Sequence, residues 1–183
     1  CSHDLVLHAR IAGYQRAWCD QWLYGPDRRL IELYNKSLNM VPMSELPQHR
    51  YAWERHQYAY EDGILTEQAE LARTILDHIE HEGAVSTDAF RHIEHRVQWW
   101  WDSSGSTSTR AAKAVMESLF VIGRLGIARR ERSRRTYDLI ERLVPPDLLA
   151  RRVPLEAQHR HRLLSRHRGV GLMAVGGAGE LVL

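Results

Sequence analysis

Residues 106–139 read STSTRAAKAVMESLFVIGRLGIARRERSRRTYDL. A Ser/Thr-rich start followed by an amphipathic run, Ser108 to Leu125, predicts a helix with a hydroxyl cap. Ala112, Val115, Met116, Leu119 and Ile122 form its apolar stripe. Arg110, Lys113, Glu117 and Arg124 recur on a different, polar face at spacings of three, four and seven. Gly126 stands where a C-cap glycine is expected. The segment IARRERSRRTYDL then predicts a hairpin: a strand from Ile127 to Arg130, a turn near Arg132-Ser133, and a strand from Arg135 to Leu139. Arg129, Arg130, Arg132, Arg134 and Arg135 crowd into seven residues, opposed by Glu131 alone. Like charges packed this closely repel unless an anion relieves them, and phosphates do so with release of counterions. The competing explanation is an exposed hairpin kept soluble and unpaired by edge charge.

Upstream, Thr66 is expected to cap a first helix, with Glu67 and Glu70 at its positive end. Leu65, Ala69, Ala72, Ile75, Leu76 and Ile79 are its predicted buried stripe, and Gly83 its stop. Ser86 is expected to cap a second helix, TDAFRHIE. VQWWW (97–101) is a short strand candidate, and DSSGSTST (102–109) a loop. Trp99, Trp100 and Trp101 could stack on unpaired bases, but packing of a half-buried strand is the simpler expectation. Helix, helix, strand, helix, hairpin is the order of a winged-helix nucleic-acid-binding module. In such modules the third helix enters the major groove, about 12 Å wide.

The flanks are less regular. HDLVLHARI (3–11) suggests a strand; YQRAWCDQWLY (14–24) suggests a helix halted by Gly25-Pro26. RRLIELYNKSLNMVP (28–42) mixes strand-like alternation with turn residues, Pro42 and Pro47 bracket a turn, and residues 45–62 predict a helix ending at Gly63. Pro145-Pro146 and Pro154 mark a linker before a last helix that begins at LEAQHRHRLLSRHRGVGLM (155–173). Residues 64–145 are thus expected to form one complete winged-helix (helix-turn-helix) module. Both chain ends look cut. The expected fold class is α+β: mainly α with small β-hairpins.

Charge divides along the same line. Residues 1–107 hold 10 Lys/Arg against 16 Asp/Glu, whereas residues 108–169 hold 15 against 6. The modest overall charge of +2 conceals this asymmetry, which points to an anionic partner for the second half. All but two basic residues, Lys36 and Lys113, are arginine, partly a matter of codon bias. No apolar run approaches the roughly 20 residues of a membrane span. Cys1 and Cys19 are too few for a disulfide framework, which favours a reducing compartment. HIEH occurs at 78–81 and 92–95, and HRHRLLSRH at 159–167. His at i and i+3 can chelate zinc, but without a supporting Cys pair no metal ligands are assigned. Phosphate-loop, zinc-protease and Gly-x-Ser-x-Gly patterns are absent.

Several of these stretches resemble the AlkZ/YcaQ-type DNA glycosylases. HDLVLHARI is similar to the segment shortly after that family's catalytic motif. RRLIELYNKSLNMVP resembles its signature, which opens Arg-Leu-x-Glu, carries a histidine and closes on an apolar residue and Pro. WWW followed by AAKAVMESLFVIGRLGIARRERSRRTYDL resembles its central winged helix, including Lys113, the Gly126 turn and the Tyr137-Asp138-Leu139 exit. The likeness covers most of residues 1–170 in the family's order, and it implies tandem winged helices: residues 1–63 as the end of a first with a connecting helix, 64–145 as a complete second, and 146–183 as a linker and the start of a third, truncated one. It implies excision of bulky alkylated purines or unhooking of interstrand crosslinks, without metal or organic cofactor. The family's catalytic Gln-x-Gln or Gln-x-Asp is expected upstream of Cys1. Three departures stand out: Lys36 replaces the signature histidine, Asn35 a small residue, and a Ser/Gly-rich loop at 102–109 the family's Trp-Lys-Pro.

The expected function is therefore DNA binding within a DNA-repair, glycosylase-like hydrolase of a bacterial cytoplasm (nucleoid-associated). Double-stranded DNA is the expected partner and a monomer the expected state, with no membrane involved. Arg110, Lys113, Arg124, Arg129, Arg130, Arg132, Arg134 and Arg135 are the expected contacts. A winged-helix transcriptional regulator, a catalytically inactive paralogue and a protein-interaction module remain as alternatives.

Overall fold

The computed structural model describes residues 2–35, 37–61, 63–98 and 107–171. Lys36, Trp99 to Trp101, most of the Ser/Gly-rich loop and the tail from residue 172 lie outside them.

Helix α1 (Ser2–Arg10) opens the chain, so HDLVLHARI is helical rather than extended. Its β-branched content is low, and Tyr14 donates a hydrogen bond to Asp4 in its first turn (2.9 Å). Helix α2 (Arg16–Tyr24) stops at Gly25, as expected. A tight antiparallel hairpin follows, β1 (Leu30–Asn35) with β2 (Ser37–Pro42), in register from Leu30↔Pro42 to Asn35↔Ser37. A 3-10 turn (Met43–Glu45) leads to α3 (Leu46–His49) and α4 (Tyr51–Glu61). The single helix expected over 45–62 is thus broken at Arg50.

The next segment follows the predicted order with corrected boundaries. Short helix α5 (Ile64–Glu67) precedes α6 (Ala69–Glu82). Thr66 lies inside α5, where its hydroxyl donates to the Glu61 carbonyl instead of capping α6. Ala72, Ile75 and Ile79 are buried at helical spacing, while Ala69 is exposed. Gly83 ends α6, its N–H bonded to the Ile79 carbonyl at 3.0 Å. Strand β3 (Val85–Ser86) then enters a second 3-10 turn (Thr87–Phe90), whose Asp88 N–H bonds to Ser86 Oγ. The predicted second helix is only this turn. Strands β4 (Arg96–Gln98) and β5 (Ser108–Arg110) pair directly, Arg96 opposite Arg110, where hydroxyl caps were expected.

Helix α7 (Ala111–Val121) is the hub. All its residues except Lys113 and Glu117 are buried. Ala111, Ala112 and Ala114 are good helix formers with short side chains, so α4, α5, α6, β1 and β6 approach it from several sides. The helix closes on Gly123, not Gly126. Arg124 N–H reaches the Leu119 carbonyl and Gly123 N–H the Phe120 carbonyl, a Schellman pair, with Gly123 at φ +76°. Gly126 lies in strand β6 (Leu125–Glu131), where an added Cβ would press within 2.7 Å of Leu143. Strand β7 (Arg134–Leu139) completes the basic hairpin, and the sheet runs β3-β7-β6. Arg132 takes the left-handed turn position at φ 58°. Helices α8 (Ile140–Leu143), α9 (Pro146–Ala150) and α10 (Leu155–Val170) end the described chain.

Two apolar clusters form the interior. One gathers Ile75, Ile79, Val115, Met116, Leu119, Leu125 and Tyr137 around α7. The other joins Ile31, Leu33, Val41, Trp53, Ile140 and Leu143. They meet at Gly123, where a Cβ would lie 2.3 Å from the Trp53 ring. The first hairpin is bound to the basic one by a buried ion pair. Arg130 Nε donates to Glu32 Oε1 at 2.8 Å and Nη2 to Oε2, while Tyr24 O–H donates to Oε1. The side chains of Arg130 and Glu32 are 11% and 3% exposed.

Breaking such a pair strands a buried charge, so Glu32→Ala or Arg130→Ala should cost about 3–5 kcal/mol, whereas the double change Glu32→Leu, Arg130→Met should recover most of it. Urea unfolding of the four proteins checks this. Gly123→Ala combines a left-handed backbone with overpacking against Trp53 and should cost about 2–4 kcal/mol. Adding Trp53→Leu should return the overpacking part in the same assay.

Candidate nucleic-acid interface

The basic residues separate into groups once their surroundings are known. At the head of α7, Arg96, Arg110 and Lys113 line a cavity of about 220 Å³ with Thr87, Phe90 and Thr109, and no carboxylate lines it among the described residues. Cross-strand pairing sets Arg96 against Arg110, and Arg96 is held by Ser108, Nε to Oγ at 3.0 Å and Nη2 to the carbonyl at 2.6 Å. Arg110 is also the N-cap residue of α7 and provides no side-chain cap. First-turn N–H groups and the helix dipole therefore add positive potential where three cationic side chains converge. Arg96 was missed from sequence: it precedes a Trp run and belongs to no charge cluster, and its partner strand was expected to be loop.

The hairpin lies next to this cavity through the 3-10 turn that supplies Thr87 and Phe90. Arg134 Nη1 reaches Asp88 Oδ2 in that turn at 2.8 Å. Arg129 pairs with Glu131 at 3.7 Å. The three hairpin side chains are more than half exposed and Asp88 about a third, and surface pairs of that kind contribute only about 0–1 kcal/mol. A phosphate can displace either carboxylate. Arg132 is exposed at the turn. Arg135 is half-buried, 3.8 Å from Glu117 on α7. At the root of the hairpin, a register irregularity between Ile127 and Arg129 presents two carbonyls to Arg28, whose guanidinium donates to Ile127 and Ala128 at 3.4 and 3.3 Å.

Two expected contacts fall outside this group. Arg130 is internal: burial works against its charge, but hydrogen bonding and attraction from Glu32 outweigh it and hold its pKa above the usual value. Arg124 sits past the other end of α7, about 16 Å of helix away. It lines a separate hollow with Asp77, Glu80 and Glu141. The polar face expected along α7 is also much reduced. Within the helix it amounts to Lys113 and Glu117, because the other positions face neighbouring elements. Lys36, the family-signature position, lies outside the described residues.

Burial raises the pKa of Glu117, with Lys113 and Arg135 pulling it back in part. A carboxyl raised in the fold binds its proton more tightly there than in the unfolded chain. Stability from this group is therefore lost as pH rises from the ordinary carboxylate range, and neutral pH carries the full cost. Glu117→Gln should raise the thermal midpoint at neutral pH and flatten its decline over that interval. Calorimetry across the range checks both effects.

An α7 head lined with cations beside a charged hairpin is a surface suited to a polyanion, and the comparisons agree in kind. No solved structure matches this chain. A family model described as DNA glycosylase AlkZ-like matches residues 1–180, a span containing the first hairpin, the buried ion pair, α7 and the basic hairpin alike. The chain belongs to the AlkZ-like DNA glycosylase family.

Proposed function

We propose that this chain grips duplex DNA for a repair glycosylase acting on alkylated or crosslinked purines, with residues 64–145 serving as a winged helix. The observation that carries the proposal is the convergence of Arg96, Arg110 and Lys113 on one cavity, adjoining a hairpin tip that offers Arg129, Arg132 and Arg134. Arg135, half-buried at the hairpin's inner edge, is a secondary contact. Arg130 is left out because Glu32 holds it in a buried pair, and Arg124 because it lines a separate hollow where three carboxylates match three arginines. In this scheme the cavity seats a backbone phosphate at the positive end of α7, and the exposed arginines follow the same strand with charge-assisted hydrogen bonds. The flank of α7 is closed, so the grip is on the sugar–phosphate chain. Excision of the damaged base, hydrolysis of its N-glycosidic bond, belongs to the family's chemistry. The chain's own proposed share is to hold the duplex while the lesion is presented.

Duplex binding measured by fluorescence anisotropy over a series of salt concentrations tests this. Arg110→Ala, Lys113→Ala and Arg132→Ala should each weaken binding by about three- to tenfold, equally for unrelated sequences, and should reduce the salt slope by about 1. Arg124→Ala should leave both unchanged. Unaltered affinity in the Arg110→Ala, Lys113→Ala double variant would sink the assignment.

A further inference from the structure

Away from the basic face, the 3-10 turn after β2, the end of α3 and the middle of α10 bring together Glu45, His49 and His161. One ligand atom from each lies within 4.8 Å of the other two. His161 Nε2 is 3.2 Å from Glu45 Oε2, yet its alignment leaves that nitrogen without a hydrogen bond. The two imidazoles stand edge to face with centroids 5.2 Å apart. His49 is buried, and its Nδ1 also has no hydrogen-bond partner. Each imidazole thus keeps a buried nitrogen without a hydrogen bond, an uncommon finding in a native interior, where buried polar atoms are nearly always satisfied.

We propose that Glu45, His49 and His161 bind a divalent transition-metal ion, zinc by donor chemistry, which fastens α10 to the turn ahead of α3. Two imidazole nitrogens and one carboxylate oxygen are a borderline donor set suited to zinc. Tetrahedral bonds of about 2.0–2.2 Å place ligand atoms roughly 3.3 Å apart. The Glu45–His161 edge already has that length, and small side-chain rotations bring His49 to the same distance. A fourth position is left for water.

The surroundings hold these ligands in place. Gln158, one turn before His161, accepts from the Tyr51 N–H at 2.9 Å and donates to the Val153 carbonyl at 2.9 Å. The Arg162 guanidinium lies 5.3 Å over the Tyr51 ring. These two contacts fix the α10 face that presents His161. The sequence assigned no metal role to the His-rich run at 159–167, because two of the three ligands come from more than a hundred residues upstream.

Tag-free protein stripped with a chelator tests the site. Zinc chloride is titrated against a chromophoric competitor, and cobalt chloride serves as a spectroscopic probe. The expected result is one zinc per chain, the visible absorption of four-coordinate cobalt, and a thermal midpoint raised by about 5–10 °C at hundredfold excess over Kd. His161→Gln and Glu45→Gln, at partly exposed positions, should keep the far-UV circular dichroism. Their affinity should fall by about a hundredfold or more, since second-shell changes alone cost roughly 10–100-fold. The double variant His81→Gln, His95→Gln should bind as the parent does. No uptake at micromolar zinc, undiminished uptake in His161→Gln, or loss in the His81/His95 variant instead, would each overturn the proposal. Duplex affinity is measured separately and does not enter this test.

Discussion

A buried guanidinium–carboxylate pair fixes where the basic hairpin can go. Arg130 leaves strand β6 and meets Glu32 of β1 in a two-point contact that Tyr24 completes. Charges held this far from water are expensive unless every lone pair is answered, and here three donors answer two oxygens. The contact orients the hairpin about its root, with Arg28 tying the same root from the other segment. The remaining hairpin arginines are therefore placed beside the head of α7. A charge that looked from sequence like one more phosphate contact is what aligns the others.

The two apolar clusters depend on the same geometry. Trp53 from the second cluster sits against Gly123, which ends the central helix of the first. Residues from 1–63 and from 64–145 thus pack against each other there. The prolines at 145, 146 and 154, expected to mark a linker, instead bound a short α9 and start α10, and α10 returns to cover α3 and α4 through Gln158 and Arg162.

Much of this was legible where local chemistry decides. The period of α6, the hairpin with its turn at Arg132-Ser133, the α2 stop at Gly25-Pro26 and the α+β class all follow from spacing and punctuation. What escaped depended on partners distant in the chain. HDLVLHARI alternates well enough for a strand but folds as a helix, its first turn tied down by Tyr14. Ser108 and Thr109 look like caps, but Gln98 and Val97 claim them for a strand pair. Gly126 resembles a helix stop, while the stop is Gly123, because the choice rests on which glycine the Trp53 ring needs to be small. Arg130 is indistinguishable by sequence from Arg129, and only Glu32, 98 residues away, separates them. The Glu45–His49–His161 group is the same kind of case. Among the described residues, no helix is long and apolar enough to cross a membrane, as composition had indicated.

The packing around α7 has a consequence for what the molecule can discriminate. A helix enclosed along its sides by α4, α6, β1 and β6 has no row of side chains left to compare one base edge with another. Within the helix, Lys113 alone is exposed. Under the proposed duplex grip, the helix would hold its partner by charge and leave the identity of the bases unread.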